Sequence, residues 1–170
     1  PKTNLDTISH DGRTPLLNYM YYYHTQKHKK YIKSIELLLE KGCNANIPKS
    51  NPPLFETARL GNLEIGKMLI DNGANPNVQN SRYETPLIGA IGNKHQDMVS
   101  FLLTNGANVN YTIPEGTYNP LLLSTMLADS RITDILLENG AGVKSHDKYL
   151  NTPLHYAIRK SEYSADIIFR

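Results

Sequence analysis

A short phrase built around Pro-Leu recurs five times along this chain, as Thr14-Pro15-Leu16, Pro52-Pro53-Leu54, Thr85-Pro86-Leu87, Asn119-Pro120-Leu121 and Thr152-Pro153-Leu154. A glycine-led phrase answers it four times: Gly42-Cys43-Asn44-Ala45-Asn46, Gly73-Ala74-Asn75-Pro76-Asn77, Gly106-Ala107-Asn108-Val109-Asn110 and Gly140-Ala141-Gly142-Val143-Lys144. The distance from opening residue to glycine is 21 positions for Pro52 to Gly73, Thr85 to Gly106 and Asn119 to Gly140. Successive glycines stand 31, 33 and 34 positions apart. That period leaves room for one small supersecondary unit per repeat, and such units bury their apolar faces only by stacking on each other. The constraint reaches function too: a linear stack has no closed pocket of its own and works by presenting a surface.

The unit opening at Thr85 shows how the local sequence folds. Pro86 suits a first-turn position, where its missing N–H is no loss, and Thr85 before it is a good N-cap. Leu87, Ala90 and Ile91 follow at i, i+3 and i+4 and form one apolar stripe. Gly92-Asn93-Lys94 breaks the helix, and Met98, Val99, Leu102 and Leu103 make a second stripe. Gly106 ends that second helix in the left-handed conformation that glycine adopts cheaply. Ala58, Ala90 and Ala157 are small enough to let neighbouring helices approach. Extended, hairpin-like turns join one helix pair to the next.

Composition agrees with thin layers rather than a thick core: 39% of the 170 residues are apolar, and the mean hydropathy is -0.45. Eighteen basic residues against 16 acidic ones leave +2, which argues against a strongly electrostatic nucleic-acid or membrane binder. No apolar run approaches a membrane span. Cys43 has no internal partner and takes the place where other repeats carry alanine, so it reads as a small buried residue in a reducing compartment. Asn110-Tyr111-Thr112 is a glycosylation sequon that we read as chance. Asn4 precedes Thr14 as Asn77 precedes Thr85, and Ile167-Ile168-Phe169 reads as the start of a second helix. Both ends are therefore expected to cut through a longer array, with residues 160–170 mobile or covered.

Asp11-Gly12-Arg13-Thr14-Pro15-Leu16 and Thr152-Pro153-Leu154-His155-Tyr156-Ala157 carry a resemblance to the ankyrin repeat family, covering the chain from Asp11 to Arg170. The resemblance implies an all-α solenoid of helix-turn-helix pairs joined by short β-hairpin-like turns, with repeats at 9–46, 47–77, 80–110, 114–144 and an incomplete 147–170. Pro52 and Asn119 depart from the opening threonine, and loss of its hydroxyl predicts less regular turns there. The family's histidine survives as His155, whose ring is expected to brace an adjoining turn.

The first repeat stretches its phrase-to-glycine spacing to 28 (Thr14 to Gly42), an insertion of seven. Long repeats rich in Tyr and Lys resemble those of poxvirus ankyrin proteins, which hold a host protein through the repeats while a C-terminal F-box-like segment recruits a ubiquitin ligase. No such segment lies in these residues. The same composition occurs in other A/T-rich genomes, including protists and intracellular bacteria.

Catalytic and metal chemistry find little footing. His24 and His28 at i, i+4 lack a third ligand, and His155 with Asp129, Asp134 and Glu138 forms no nucleophile–base pattern. Neither an enzyme nor a cofactor or metal site is expected. The insertion Tyr21–Tyr31 reads as a helix extension and loop with half-packed tyrosines. In the ankyrin family, partners are gripped by hairpin tips and by the concave face of the first helices. Mapped here, that face comprises Arg13, Tyr21, Tyr22, Lys49, Asn51, Arg59, Arg82, Glu84, Tyr118, Met126, Lys148, Tyr149, Asn151, Arg159 and Lys160. Counted this way it is basic, with Glu84 as its single acid. The resulting expectation is a protein-binding module for a partner with an acidic segment, with no nucleic acid and no membrane insertion. Its setting would be the cytoplasm or nucleus, and the host cytoplasm if the chain is viral. The alternatives are spacer repeats within a larger protein, or an effector of an intracellular bacterium or protist with its catalytic domain elsewhere.

Overall fold

The computed structural model describes residues 4–48, 50–114 and 118–160, with residue 160 described through its backbone alone. The expectation for residues 160–170 lies outside the described side chains. Among the described residues there are nine helices and no strand: α1 (Pro15–Gln26), α2 (Lys30–Glu40), α3 (Pro53–Leu60), α4 (Leu63–Asp71), α5 (Pro86–Gly92), α6 (Gln96–Thr104), α7 (Pro120–Met126), α8 (Ser130–Glu138) and α9 (Pro153–Lys160). Each first helix packs on its own second helix, and α9 lies against α7. The architecture is the all-α solenoid that the repeats demand.

Each helix start has a local cause. Thr14 and Thr85 accept the N–H groups of Leu17 and Ile88 through their hydroxyls, at 3.3 and 3.4 Å. Asn119 does the same for Leu122 with its amide oxygen at 2.9 Å, so the loss of the hydroxyl there is compensated. Pro52 offers no side-chain cap, but it and Pro53 are both confined near helix-compatible φ. Asn62 and Asp129 cap the second helices α4 and α8.

Each pair turns on a left-handed residue: Lys27, Gly61, Lys94 and Ala128, with φ of 53°, 68°, 59° and 52°. Only Gly61 is glycine, and space explains why. A Cβ there would lie 2.6 Å from the His95 ring of the next pair. That ring meets the Arg59 carbonyl through Nε2 at 3.1 Å and so braces the end of α3.

Two leucine columns run through the stack: Leu16, Leu54, Leu87 and Leu121 from the first helices, and Leu69, Leu102 and Leu136 from the second. All are at most 1% exposed. Ala58, Ala90 and Ala157 are fully buried as expected. Ala90 and Ala157 lie four residues after their helix proline but Ala58 lies five after, and Thr57 takes the matching place.

The glycine-led phrases form a ladder between pairs. Asn46 donates from Nδ2 to the Gly73 carbonyl at 3.0 Å and accepts the Asn75 N–H at 2.7 Å. Asn77 repeats this with Gly106 and Asn108 at 2.9 and 2.7 Å, and Asn110 with Gly140 and Gly142 at 3.1 and 2.8 Å. The sequon asparagine is therefore already committed to the backbone. Lys144 occupies the same place in the fourth phrase.

The first helices α3, α5, α7 and α9 pack against one another more extensively than do the second helices. The exception is α1, which stands off α3 and joins the array mainly through α2 against α4.

Candidate functional site

The insertion lengthens both helices of the first pair: α1 has 12 residues and α2 has 11, whereas α3, α5 and α7 have 8, 7 and 7. Its overhang is held in place, because the Tyr23 hydroxyl donates to Glu64 Oε2 on α4 at 3.0 Å. Burial, and then that carboxylate, push the Tyr23 phenol up. The helix ends at Gln26, so His28 leaves the face that carries His24. The two imidazoles do not share one face of a helix, and His28 instead accepts the Lys30 N–H through Nδ1 at 3.1 Å.

Between α1 and α3 lies a cleft with an apolar floor of Leu17, Met20, Leu60 and Ile65. Arg13, Tyr21, His24, Asn51, Glu56 and Arg59 line its sides. Four residues expected on the binding face, Arg13, Tyr21, Asn51 and Arg59, thus meet around one opening. The Arg13 guanidinium lies 4.5 Å from the Tyr21 ring centroid, a cation–π contact. A second, shallower cleft follows between α3, α5 and α7, where Gly89 lets α5 come close to Phe55. Arg59, Arg82, Glu84 and Tyr118 border it.

The charge on this face differs from the expectation of one acid among many bases. Arg59 is held by Glu56 through two bonds, Nε at 3.0 Å and Nη2 at 2.6 Å, and this bonding pushes the guanidinium pKa up. Arg59 therefore lies on α3 in a fixed pair, not on a free tip. Arg82 pairs with Glu84 at 3.1 Å, and Asp11 stands 3.9 Å from Arg13. Glu84 also accepts from Asn80 at 2.8 Å, with the Tyr118 hydroxyl at 3.5 Å. Sequence counting missed Glu56, three residues before Arg59 on α3, and Asp11, two residues before Arg13 in the turn, because spacing alone does not show which side chains turn toward each other.

The remaining expected residues scatter. Tyr22 faces away from the cleft and stacks on Tyr31 with centroids 5.7 Å apart. Met126 is half-buried at the end of α7, and Arg159 is exposed on α9. Lys148 lies over the Tyr149 ring at 5.1 Å, and Tyr149 is 72% exposed. Asn151 is occupied within its own turn, donating to Asp147 Oδ2 at 3.1 Å. Lys49 and the Lys160 side chain lie outside the described residues. His155 braces its own turn, with Nδ1 2.8 Å from the Thr152 hydroxyl.

Asp147 is the pivot of that turn. It accepts the N–H groups of Tyr149 and Asn151, both at 2.8 Å, and the Tyr156 hydroxyl at 2.6 Å. Burial pushes its carboxyl up, but these bonds outweigh that and hold it at about 2. Asn80 plays the same part six residues before Pro86, accepting the N–H groups of Arg82 and Glu84. Two tip residues escaped sequence reading. Tyr83 and Leu150 sit three residues before their helix prolines, at φ of 59° and 65°, where the first turn has Gly12 at 76°. Bulky residues rarely adopt this conformation, yet these two are 55% and 70% exposed.

The family model for ankyrin repeats, in three copies, matches residues 22–113, more than half of the chain. The chain belongs to the ankyrin repeat family. It is similar to two ankyrin repeat proteins of fowlpox virus (strain NVSL): FPV244, 29% identical over 76% of this chain, and FPV024, 32% identical over 59%. It is also similar to ankyrin repeat protein L371 of Acanthamoeba polyphaga mimivirus, 28% identical over 88%. The matched stretch spans only 19%, 17% and 19% of those relatives' lengths. Ankyrin repeats are a general protein–protein interaction module without catalytic chemistry of their own. Among the described residues no helix is long and apolar enough to cross a membrane.

Proposed function

We propose that this ankyrin array recognises a partner protein through its first-helix face and turn tips, as the host-protein recognition part of a viral adaptor. The repeats would run 9–46, 47–77, 80–110, 114–144 and 147–170. The observation that carries the reading is the contrast between the stack and its tips. The leucine columns are buried, while Tyr83, Tyr149 and Leu150 project at 55%, 72% and 70% exposure. Exposed aromatic side chains with Arg close by are favoured interface anchors. The viral relatives support a host-directed role in the cytoplasm or nucleus. Arg13, Arg82 and Lys148 favour a partner that offers an acidic segment.

The test is affinity capture from host-cell lysate with the wild-type protein and with the double variant R82Q/Y149A. Arg82 has 74% of its side chain exposed and Tyr149 is 72% exposed, so both changes leave the stack untouched. Proteins captured by the wild type and lost with the variant are the expected result. Equal capture by both would refute the turn tips as part of the binding surface.

A further inference from the structure

The α1–α3 cleft differs from the rest of the groove, and the insertion is the reason. The other first helices are too short to overhang a neighbour; α1 continues through Gln26, and Tyr21 and His24 form a wall opposite Thr57 and Leu60. That wall is pinned over the second pair by Tyr23 and Glu64. At the place where α5 carries Gly89, three residues after its proline, α3 carries Glu56, tied to Arg59. The junction stays open, whereas Gly89 lets α5 close up on α3.

Resting on the protein-binding reading above, we propose that this cleft is the partner's anchor point. It takes one aliphatic side chain next to a carboxylate on an extended acidic segment. Leu17, Met20, Leu60 and Ile65 supply the apolar floor. The carboxylate is met by Arg13. Its guanidinium lies over the Tyr21 ring, with 42% of the side chain exposed, and makes no hydrogen bond to any acceptor among the described residues. Asp11 approaches only its Nε edge, at 3.9 Å, beyond hydrogen-bond reach. A guanidinium placed beside an aromatic ring and not engaged by a close carboxylate is suited to carboxylate recognition. Glu56 neutralises Arg59, and only the distant Asp11 faces Arg13, so the mouth offers one cation and suits a single carboxylate.

A random dodecapeptide library displayed on phage, selected against the intact chain, tests this. The enriched peptides are expected to place Asp or Glu within two residues of Leu, Ile, Met or Phe. Binding of one such synthetic peptide, followed by fluorescence anisotropy, is then compared across variants of matched urea stability. R13Q removes the charge, and H24W fills the cleft from the exposed last turn of α1. Each is expected to weaken binding about tenfold or more, with R82Q/Y149A near the wild type. Loss with R82Q/Y149A but not with R13Q or H24W would overturn the cleft assignment and leave the protein-binding reading standing. Enrichment of peptides without an acidic residue, or of none, would also overturn it.

Discussion

Asn77→Ala isolates one rung of the ladder between repeats. The change removes the Nδ2 donor to the Gly106 carbonyl at 2.9 Å and the Oδ1 acceptor for the Asn108 N–H at 2.7 Å. A net hydrogen bond contributes about 0.5–1.5 kcal/mol, so two contribute about 1–3. Both freed backbone groups are exposed and water can take them, which places the loss at the lower end, about 1–2 kcal/mol. With a urea dependence of about 2 kcal/mol per molar, the unfolding midpoint should fall by about 0.5–1 M. Circular dichroism at 222 nm reads it. Lys144→Ala, at the matching place in the fourth phrase, is the control and should leave the midpoint unchanged. Asn46→Ala breaks a different rung and should nearly add to Asn77→Ala, since the two side chains bond different backbone groups. A midpoint for Asn77→Ala indistinguishable from wild type would mean that leucine packing alone couples the repeats.

Further outcomes are expected. Gly140→Ala, at φ 82° with open space around it, should lose about 1–2 kcal/mol from backbone strain alone. Gly61→Ala should lose more in the same urea assay, because its Cβ overlaps His95. Asp147 is held at about 2 when folded, below the unfolded carboxyl near 3.9. Its stabilisation is therefore complete above about pH 4 and lost as pH falls toward about 2. Asp147→Asn, which imitates Asn80, should flatten that part of the pH profile in thermal melts. Once a partner is known, R82Q should slow its association and Y149A should mainly raise its off-rate in surface plasmon resonance. The wild-type on-rate should fall as salt rises past about 0.15 M.

The stack was legible because its determinants are local. A Pro-Leu opening, two apolar stripes and a closing glycine each act within a few residues, and they recur at one period. Even the loss of threonine at Asn119 is made good by a residue that caps in the same way. The binding face was less legible, because it depends on which side chains meet across a gap. Arg59 counted as free charge until Glu56 was found beside it, and Asn151 counted as a contact residue until Asp147 occupied it. Seven extra residues in the first repeat could be counted, but nothing in the count showed that they would wall a cleft. Tyr83 and Leu150 were hidden because their left-handed backbone is imposed by the turn, against their own preference.

The standing-off of α1 has a mechanical consequence. The first pair joins the array chiefly where α2 meets α4 and Asn46 reaches Gly73, and more thinly along α1, through Tyr23 and a few buried side chains such as Leu16. A body held more firmly along one edge than the other rotates about the firmer edge more easily than it slides along it. Cleft width is thus expected to be the softest dimension of the array, with the Tyr23–Glu64 bond as its latch.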